Sequence, residues 1–145
     1  AMRSLLPLAD VVKVSDEELE MLTDCAEIPA GAAALFARGV QAVVVTRGAK
    51  GCVVCTPSCV RALSTYDTQV VDTTGSGDSF FGAFLTKLIE AGQPVSALSA
   101  ETLCAAADFA NAAGSVCATK KGAIPALPDR AAIEACMRSV PKLEI

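Results

Sequence analysis

The 145-residue chain contains no histidine and no tryptophan, and aromatic residues make up only 4% of it. Without histidine, the seven cysteines lack the usual partner of thiolates in zinc sites, and no second cysteine pair stands at zinc-ligand spacing. The scarcity of aromatic residues leaves alanine, valine and leucine to fill the interior. This composition favours close packing of helices on a sheet.

The sequence also lacks an excess of positive charge and any long apolar run. Its 12 basic and 16 acidic residues give a net charge of −4, so we expect no nucleic-acid partner. No apolar run approaches the length of a membrane span, and residues 1–4 show no signal-peptide pattern. We therefore expect a cytoplasmic protein that does not bind membranes.

The cysteines Cys52 and Cys55 stand three residues apart, as in some metal and redox motifs. They lie in an apolar run that predicts a strand, where residues three apart point to opposite faces. An odd number of cysteines without a secretory signal favours free or buried thiols. We expect the cysteines to be structural.

The most informative stretch of the chain is residues 70–81. Val70 and Val71 predict the end of a buried strand, a polar turn with two glycines follows, and then an amphipathic helix begins. Gly92 and Pro94 are the stop signals of that helix. Its predicted apolar stripe consists of Phe81, Phe84, Leu85 and Leu88.

The turn before this helix predicts an anion-binding site. Unpaired backbone amides and the helix dipole favour an anion at a helix N-terminus. Gly75 and Gly77 lack a Cβ atom, so a phosphate could approach their backbone closely. Asp78 places a carboxylate beside the same site. An acid next to an anion site suits the transfer of a phosphoryl group to a hydroxyl.

The segment Asp72-Thr73-Thr74-Gly75-Ser76-Gly77-Asp78 resembles the D-T-x-G-[AS]-G-D signature of the ribokinase-like (pfkB) carbohydrate kinases. The resemblance implies that Asp78 is the catalytic base and that the amides from Gly75 through Ser76 and Gly77 to Asp78 form the anion hole. On the residues alone, a tight strand-to-helix connection with an aspartate near the helix start is the alternative.

Two further segments match the nucleotide-binding parts of this family. The β-branched strand predicted at residues 41–46 leads into a T-x-G-x-x-G pattern of Thr46, Gly48 and Gly51, which the resemblance places along the nucleotide, ATP. Residues 109–114 resemble the segment that borders the adenine pocket, which makes Asn111 a candidate contact. The alternative for Asn111 is a polar residue on an exposed helix face.

The predicted metal sites also come from the resemblance. Ser15 and Glu18 form a capping-box pattern, which predicts a helix start on plain grounds. They also resemble the family's N-x-x-E motif, with Ser15 in place of asparagine near the nucleotide and Glu18 helping to organise Mg²⁺. Many relatives hold a monovalent cation such as K⁺ at positions that match Asp72, Thr74, Cys117, Gly122 and Ala126.

The order of predicted elements indicates a single α/β domain over residues 1–145. Further strands are predicted at 8–14, 52–55, 59–63 and 69–71, and helices at 30–38, 94–118 and 129–140. The resemblance implies a ribokinase-like three-layer α/β/α sandwich with a mostly parallel sheet. It corresponds only to the C-terminal half of the family, because the sugar pocket and lid belong to an N-terminal half not found here.

The function implied by the resemblance is that of an ATP-dependent carbohydrate kinase, with this chain as its nucleotide-binding part. Within this family, residues 13–19 and 121–125 most resemble the corresponding segments of fructokinases. Ribokinases and nucleoside kinases are alternatives, because the specificity for the acceptor lies mainly in the N-terminal half of the family. The chain would be a fragment, or would pair with an N-terminal half or another copy.

Two other classes of protein are alternatives. One is a non-catalytic nucleotide-binding module or assembly half. The other is a dinucleotide-binding oxidoreductase, but residues 75–80 lack the third glycine of G-x-G-x-x-G, and no acidic ribose partner follows at the expected distance. No Walker motif competes with the kinase signature.

Overall fold

The structure is a computed structural model that describes residues 2–144. Its strands are β1 (Val11–Ser15), β2 (Ala42–Thr46), β3 (Cys52–Thr56) and β4 (Cys59–Leu63). Its helices are α1 (Met2–Leu5), α2 (Asp16–Thr23), α3 (Ile28–Phe36), α4 (Ser76–Ala91), α5 (Ala100–Cys117) and α6 (Arg130–Ser139). Short 3₁₀ turns occur at Leu6–Leu8, Gly48–Lys50, Val95–Ala97 and Ile124–Ala126.

The four strands form one sheet in the order β1-β2-β3-β4. Only β1 and β2 are parallel, while β2–β3 and β3–β4 are antiparallel, so the mostly parallel sheet predicted above is wrong for the described residues. The connections explain the difference. Helices α2 and α3 provide the long crossover that a parallel pair needs, whereas residues 47–51 and 57–58 allow only hairpins.

Helices cover both faces of the sheet, which confirms the three-layer α/β/α architecture. Val43 and Val45 of β2 pack with α2 and α3 on one face, and Val44 packs with α4 and α5 on the other. Strand β2 is therefore buried on both faces, as a central strand should be. Cys52 and Cys55 are fully buried on opposite faces, which confirms the prediction for this pair.

Helix α4 forms where the signature predicted a helix, but its buried face differs. Phe84 and Leu88 are buried as expected, together with Phe80, which stacks on Phe84, whereas Phe81 is only partly buried and Leu85 is 37% exposed. The inward positions lie at i, i+4 and i+8 because α4 packs on the sheet and on α5 together.

Residues 69–71 do not form the predicted strand. Val70 and Val71 are 61% and 54% exposed, so the expected buried strand end is wrong. The amides of Val71 and Asp72 both donate to the carbonyl of Ala118, at 2.8 and 3.1 Å. Two amides that share one acceptor cannot belong to a regular strand ladder. The signature turn is therefore anchored to the end of α5 instead of to a sheet.

The helix boundaries follow the expected capping rules. Gly92 ends α4 in the left-handed conformation, and Asp129 caps α6 through the amide of Ala132. Across residues 2–144, none of the helices has both the length and the hydropathy that a membrane crossing requires.

Candidate active site

A cavity of about 390 Å³ lies beside the end of β2, the start of β3 and the start of α4. This volume falls within the range of small-ligand pockets. The cavity is lined by six residues that the sequence singled out, namely Thr46, Gly48, Gly51, Ser76, Gly77 and Asn111. Segments that are far apart in the sequence thus contribute to a single pocket.

The two parallel strands place Ser15 and Thr46 side by side. These residues end β1 and β2 and are paired in the sheet register, and the Thr46 hydroxyl donates to the Val14 carbonyl at 3.3 Å. The capping box is confirmed, because the Ser15 hydroxyl accepts from the amide of Glu18 and the Glu18 carboxylate accepts from the amide of Ser15. Thr46 lines the cavity, whereas Ser15 and Glu18 lie outside it.

Gly51 is the tightest point of the loop between β2 and β3. Its φ is +75°, and a Cβ atom there would lie 2.0 Å from the carbonyl oxygen of Leu63. Gly48 also has a positive φ, of +56°, but a Cβ atom there would meet nothing within 4 Å. The loop therefore needs glycine at position 51 for close backbone approach, and at position 48 mainly for conformation.

Asn111 is a buried residue of α5. Its side chain is only 4% exposed, so the alternative of an exposed helix face is wrong. Its amide donates to the Ser64 carbonyl at 3.2 Å and lies 3.5 Å from the Cys52 sulfur. Asn111 lines the cavity while it also ties α5 to the end of β4.

The first turn of α4 keeps most of the predicted amides open. The amide of Ser76 is not available, because it donates to the Thr73 carbonyl at 3.1 Å. Within residues 2–144, those of Gly75, Gly77 and Asp78 have no acceptor, as expected before and within a first helical turn. The Ser76 hydroxyl is buried and has no hydrogen-bond partner in the described part of the chain, and Ser76 lines the cavity.

Gly114 allows α5 to approach this turn closely. A Cβ atom at position 114 would lie 3.2 Å from the Ser76 carbonyl oxygen, which is tight for a side chain. The small residue therefore positions the start of α4 against α5. Gly114 is itself part of the cavity wall.

Asp78 stands on the first turn of α4 and is exposed. Among the described residues, no hydrogen bond or ion pair engages its carboxylate. Gly77, the residue before it, lines the cavity. The carboxylate is therefore on the same helical turn as the open amides and available to a ligand.

Asp72 connects the signature turn to the loop after α5. Its carboxylate accepts from the hydroxyl of Thr74 at 2.6 Å and from the amides of Thr74 at 2.9 Å and Gly122 at 3.0 Å. These bonds, led by that of the Thr74 hydroxyl, lower the pKa of Asp72 to about 2. The Cys117 sulfur lies 3.9 Å from the Thr74 carbonyl oxygen, and Ala126 is buried in the following 3₁₀ turn.

The structure adds residues that the sequence reasoning missed. Thr65, Tyr66 and Ser115 line the cavity, and only the fold brings them there. Lys13 of β1 is partly buried beside Gly77. A signal for Lys13 was present, because a lysine interrupts an otherwise apolar strand.

Comparison with known proteins identifies the family. A model of the pfkB family of carbohydrate kinases matches residues 1–130. The chain belongs to this family. The match covers most of the chain, including residues 47–51 beside the cavity, the signature turn at residues 72–78 and the loop after α5 that contains Gly122.

Several known proteins resemble this pfkB-family chain. Probable fructokinase-5 of Arabidopsis thaliana is 43% identical over 142 residues, which are 97% of the chain and 43% of that protein. A double mutant of the Vibrio cholerae fructokinase, solved with fructose, ADP and potassium ion, is 40% identical, with a TM-score of 0.83 over 93% of the chain and 42% of the structure.

A fructokinase from Xylella fastidiosa with bound ATP is 28% identical, with a TM-score of 0.86 over 94% of the chain and 45% of that structure. These structures confirm the ribokinase-like fold class. The pfkB-family chain spans less than half the length of each of these three relatives.

The capping box at Ser15 should contribute measurably to the stability of the protein. We expect Ser15→Ala to lower the free energy of unfolding by about 1 kcal/mol, because the amide of Glu18 loses its acceptor. Urea unfolding measures this. Ser96→Ala, at an exposed serine in a 3₁₀ turn, is the control and should change stability by less than about 0.5 kcal/mol. Equal stabilities of the two variants would contradict the assignment.

Proposed function

We propose that this chain is the nucleotide-binding and catalytic part of an ATP-dependent, fructokinase-like sugar kinase. The single observation that carries the proposal is the cavity, which unites Thr46, Gly48, Gly51 and Asn111 with the start of α4. The relatives at about 40% identity are named fructokinases, which favours fructose over other acceptors.

The reaction divides between the cavity and the first turn of α4. ATP would bind with its nucleoside in the cavity and its terminal phosphate near the open amides of Gly75, Gly77 and Asp78. The amides and the helix dipole stabilise the charge on the transferred oxygens. Phosphoryl transfer depends mainly on such positioning and charge stabilisation.

The carboxylate of Asp78 would accept the proton of the sugar hydroxyl. The hydroxyl oxygen then forms its bond to the γ-phosphorus, the bond between that phosphorus and the bridging β,γ-oxygen breaks, and ADP leaves. The exposure of Asp78 and its lack of an ionic partner among residues 2–144 leave the carboxylate free for this role.

The residues present also fit the proposed metal ions. One carboxylate oxygen of Glu18 accepts from the Ser15 amide, and the exposed carboxylate retains capacity to bind waters of Mg²⁺. Bound Mg²⁺ would neutralise charge on the phosphates. The charged carboxylate of Asp72, which accepts from Thr74 and Gly122, belongs to the proposed monovalent cation site. Cys117 and Ala126 would also contribute to that site.

A reconstitution experiment tests the function. We expect the 145-residue chain alone to bind ATP but to phosphorylate fructose poorly, because the proposed nucleotide cavity lies within residues 2–144 and the fructokinases described above are more than twice as long. Isothermal titration calorimetry measures binding, and a coupled assay of ADP release measures turnover.

Adding the N-terminal half of a fructokinase relative should raise turnover with fructose above that with ribose or adenosine. The N-terminal half alone is the control. ATP binding without turnover in any mixture would favour a non-catalytic nucleotide-binding module. Failure of the chain to bind any nucleotide would overturn the proposal.

A further inference from the structure

We propose that residues 141–143 form a latched wall of the cavity, in which the Lys142–Asp108 ion pair holds Leu143 against the nucleoside of the bound nucleotide. This inference rests on the proposed function above. It makes Lys142 and Asp108 positioning residues and Leu143 a contact of the nucleoside. The segment follows α6 and lies outside residues 1–130, the part of the chain that the family model matches.

The segment is bonded to the chain just after β4. The amide of Leu143 donates to the carbonyl of Thr65 at 2.9 Å. In the opposite direction, the amide of Asp67 donates to the carbonyl of Pro141 at 2.8 Å. Two reciprocal bonds of this kind keep the segment extended and antiparallel to its partner.

Neighbouring side chains of the segment have different roles. Successive side chains of an extended segment alternate between its two faces. Leu143 lines the cavity, whereas the Lys142 ammonium group lies 2.8 Å from the carboxylate of Asp108 on α5. Leu143 therefore provides the contact, and Lys142 provides the anchor.

Tyr66 connects this anchor to the cavity, and we call Lys142, Asp108 and Tyr66 the latch. The Lys142 ammonium group lies over the Tyr66 ring, 5.3 Å from its centroid, and the Tyr66 hydroxyl donates to Asp108 at 3.1 Å. Burial and the nearby Asp108 carboxylate raise the pKa of Tyr66, so its hydroxyl remains a donor. Because three side chains support one another, the latch differs from an isolated surface ion pair.

The wall that the latch positions suits a flat, uncharged group. The hydroxyls of Thr65 and Ser115 bond to each other at 2.8 Å, and that of Tyr66 is engaged by Asp108. Leu143 adds apolar surface beside these occupied polar groups. None of the described residues that line the cavity carries a charge. The faces of a nucleoside base fit such a wall, whereas phosphates do not.

Binding measurements with three ligands test the latch. We expect Lys142→Met to weaken binding of adenosine and of ATP by the same factor, roughly three- to tenfold, because the ion pair and the contact with the Tyr66 ring are both lost. Binding of inorganic pyrophosphate should change by less than about twofold, since pyrophosphate has no base. Lys142→Arg should retain most of the affinity for adenosine, because arginine can make both contacts.

Hydrogen exchange of the Leu143 amide reports on the segment directly. We expect Lys142→Met to speed this exchange by roughly three- to tenfold in the free protein, and adenosine to slow it in the wild type. Arg138→Met is the matched control. It removes an exposed positive charge of α6, four residues before Lys142 and outside the latch, so exchange and adenosine binding should both stay within about twofold of the wild type.

The outcomes separate this inference from the proposed function. A wild-type chain that binds neither adenosine nor ATP would overturn the proposed function, and with it the contact of Leu143. Wild-type binding of adenosine that Lys142→Met leaves unchanged would overturn the latch alone, as would unchanged exchange of the Leu143 amide. An equal loss of adenosine and pyrophosphate binding would assign Lys142 to the stability of the whole chain and would also overturn the latch.

Discussion

Replacing Asp78 by asparagine should reduce phosphoryl transfer by about 10²- to 10⁴-fold, the range that general bases provide. Asparagine keeps the size of the side chain but cannot accept the proton of the sugar hydroxyl. Turnover is measured with the chain reconstituted with the N-terminal half of a fructokinase relative. The KM for ATP should change little, since the cavity wall does not include Asp78.

The fold should survive this substitution. Asp78 is exposed and has no bonded partner among residues 2–144, so the loss is limited to its favourable interaction with the helix dipole, about 0.3–1 kcal/mol. Asp67→Asn, at another exposed aspartate, is the control and should leave turnover within about twofold of the wild type. A kcat of Asp78→Asn close to that of the wild type would remove Asp78 as the base.

Replacing Gly51 by alanine should destabilise the protein by more than about 3 kcal/mol, a large part of the stability of a small domain. The added Cβ atom would lie 2.0 Å from the carbonyl oxygen of Leu63. The backbone at φ +75° and ψ −136° also disfavours any residue other than glycine. Either strand β4 or the loop at residues 47–51 must therefore move.

Urea unfolding and ATP titration measure the two consequences of that movement, a lower midpoint and weaker binding. Gly48→Ala is the matched control in the same loop. It has a positive φ but nothing within 4 Å of the new Cβ atom, so we expect a cost of only about 1–2 kcal/mol. Equal destabilisation by the two variants would show that conformation alone, and not the contact with Leu63, determines the effect.

Local sequence patterns predicted most of the elements correctly. The capping box at Ser15 and the strands predicted at 41–46 and 52–55 each depend on residues within a few positions of one another. The unbroken apolar run of β2 also agrees with the burial of this strand on both faces. These features require no knowledge of distant partners.

Errors arose where distant segments decide the structure. Val70 and Val71 have the composition of a strand, but residues 69–71 bond to the end of α5 and not to a strand. The sheet direction depended on loop lengths more than on strand composition. The buried face of α4 includes Phe80, which the predicted stripe did not, because the helix packs on both the sheet and α5.

The sequence by itself determined the family, because the seven residues of the signature turn are contiguous and carry their own chemistry. Only the tertiary structure showed that the amide of Ser76 is occupied, that Asn111 is buried, and that Lys13 lies beside Gly77. The physical reason is that a hydrogen-bond partner or a neighbouring charge can come from any part of the chain. Its distance in space is set by packing and cannot be read from spacing along the sequence.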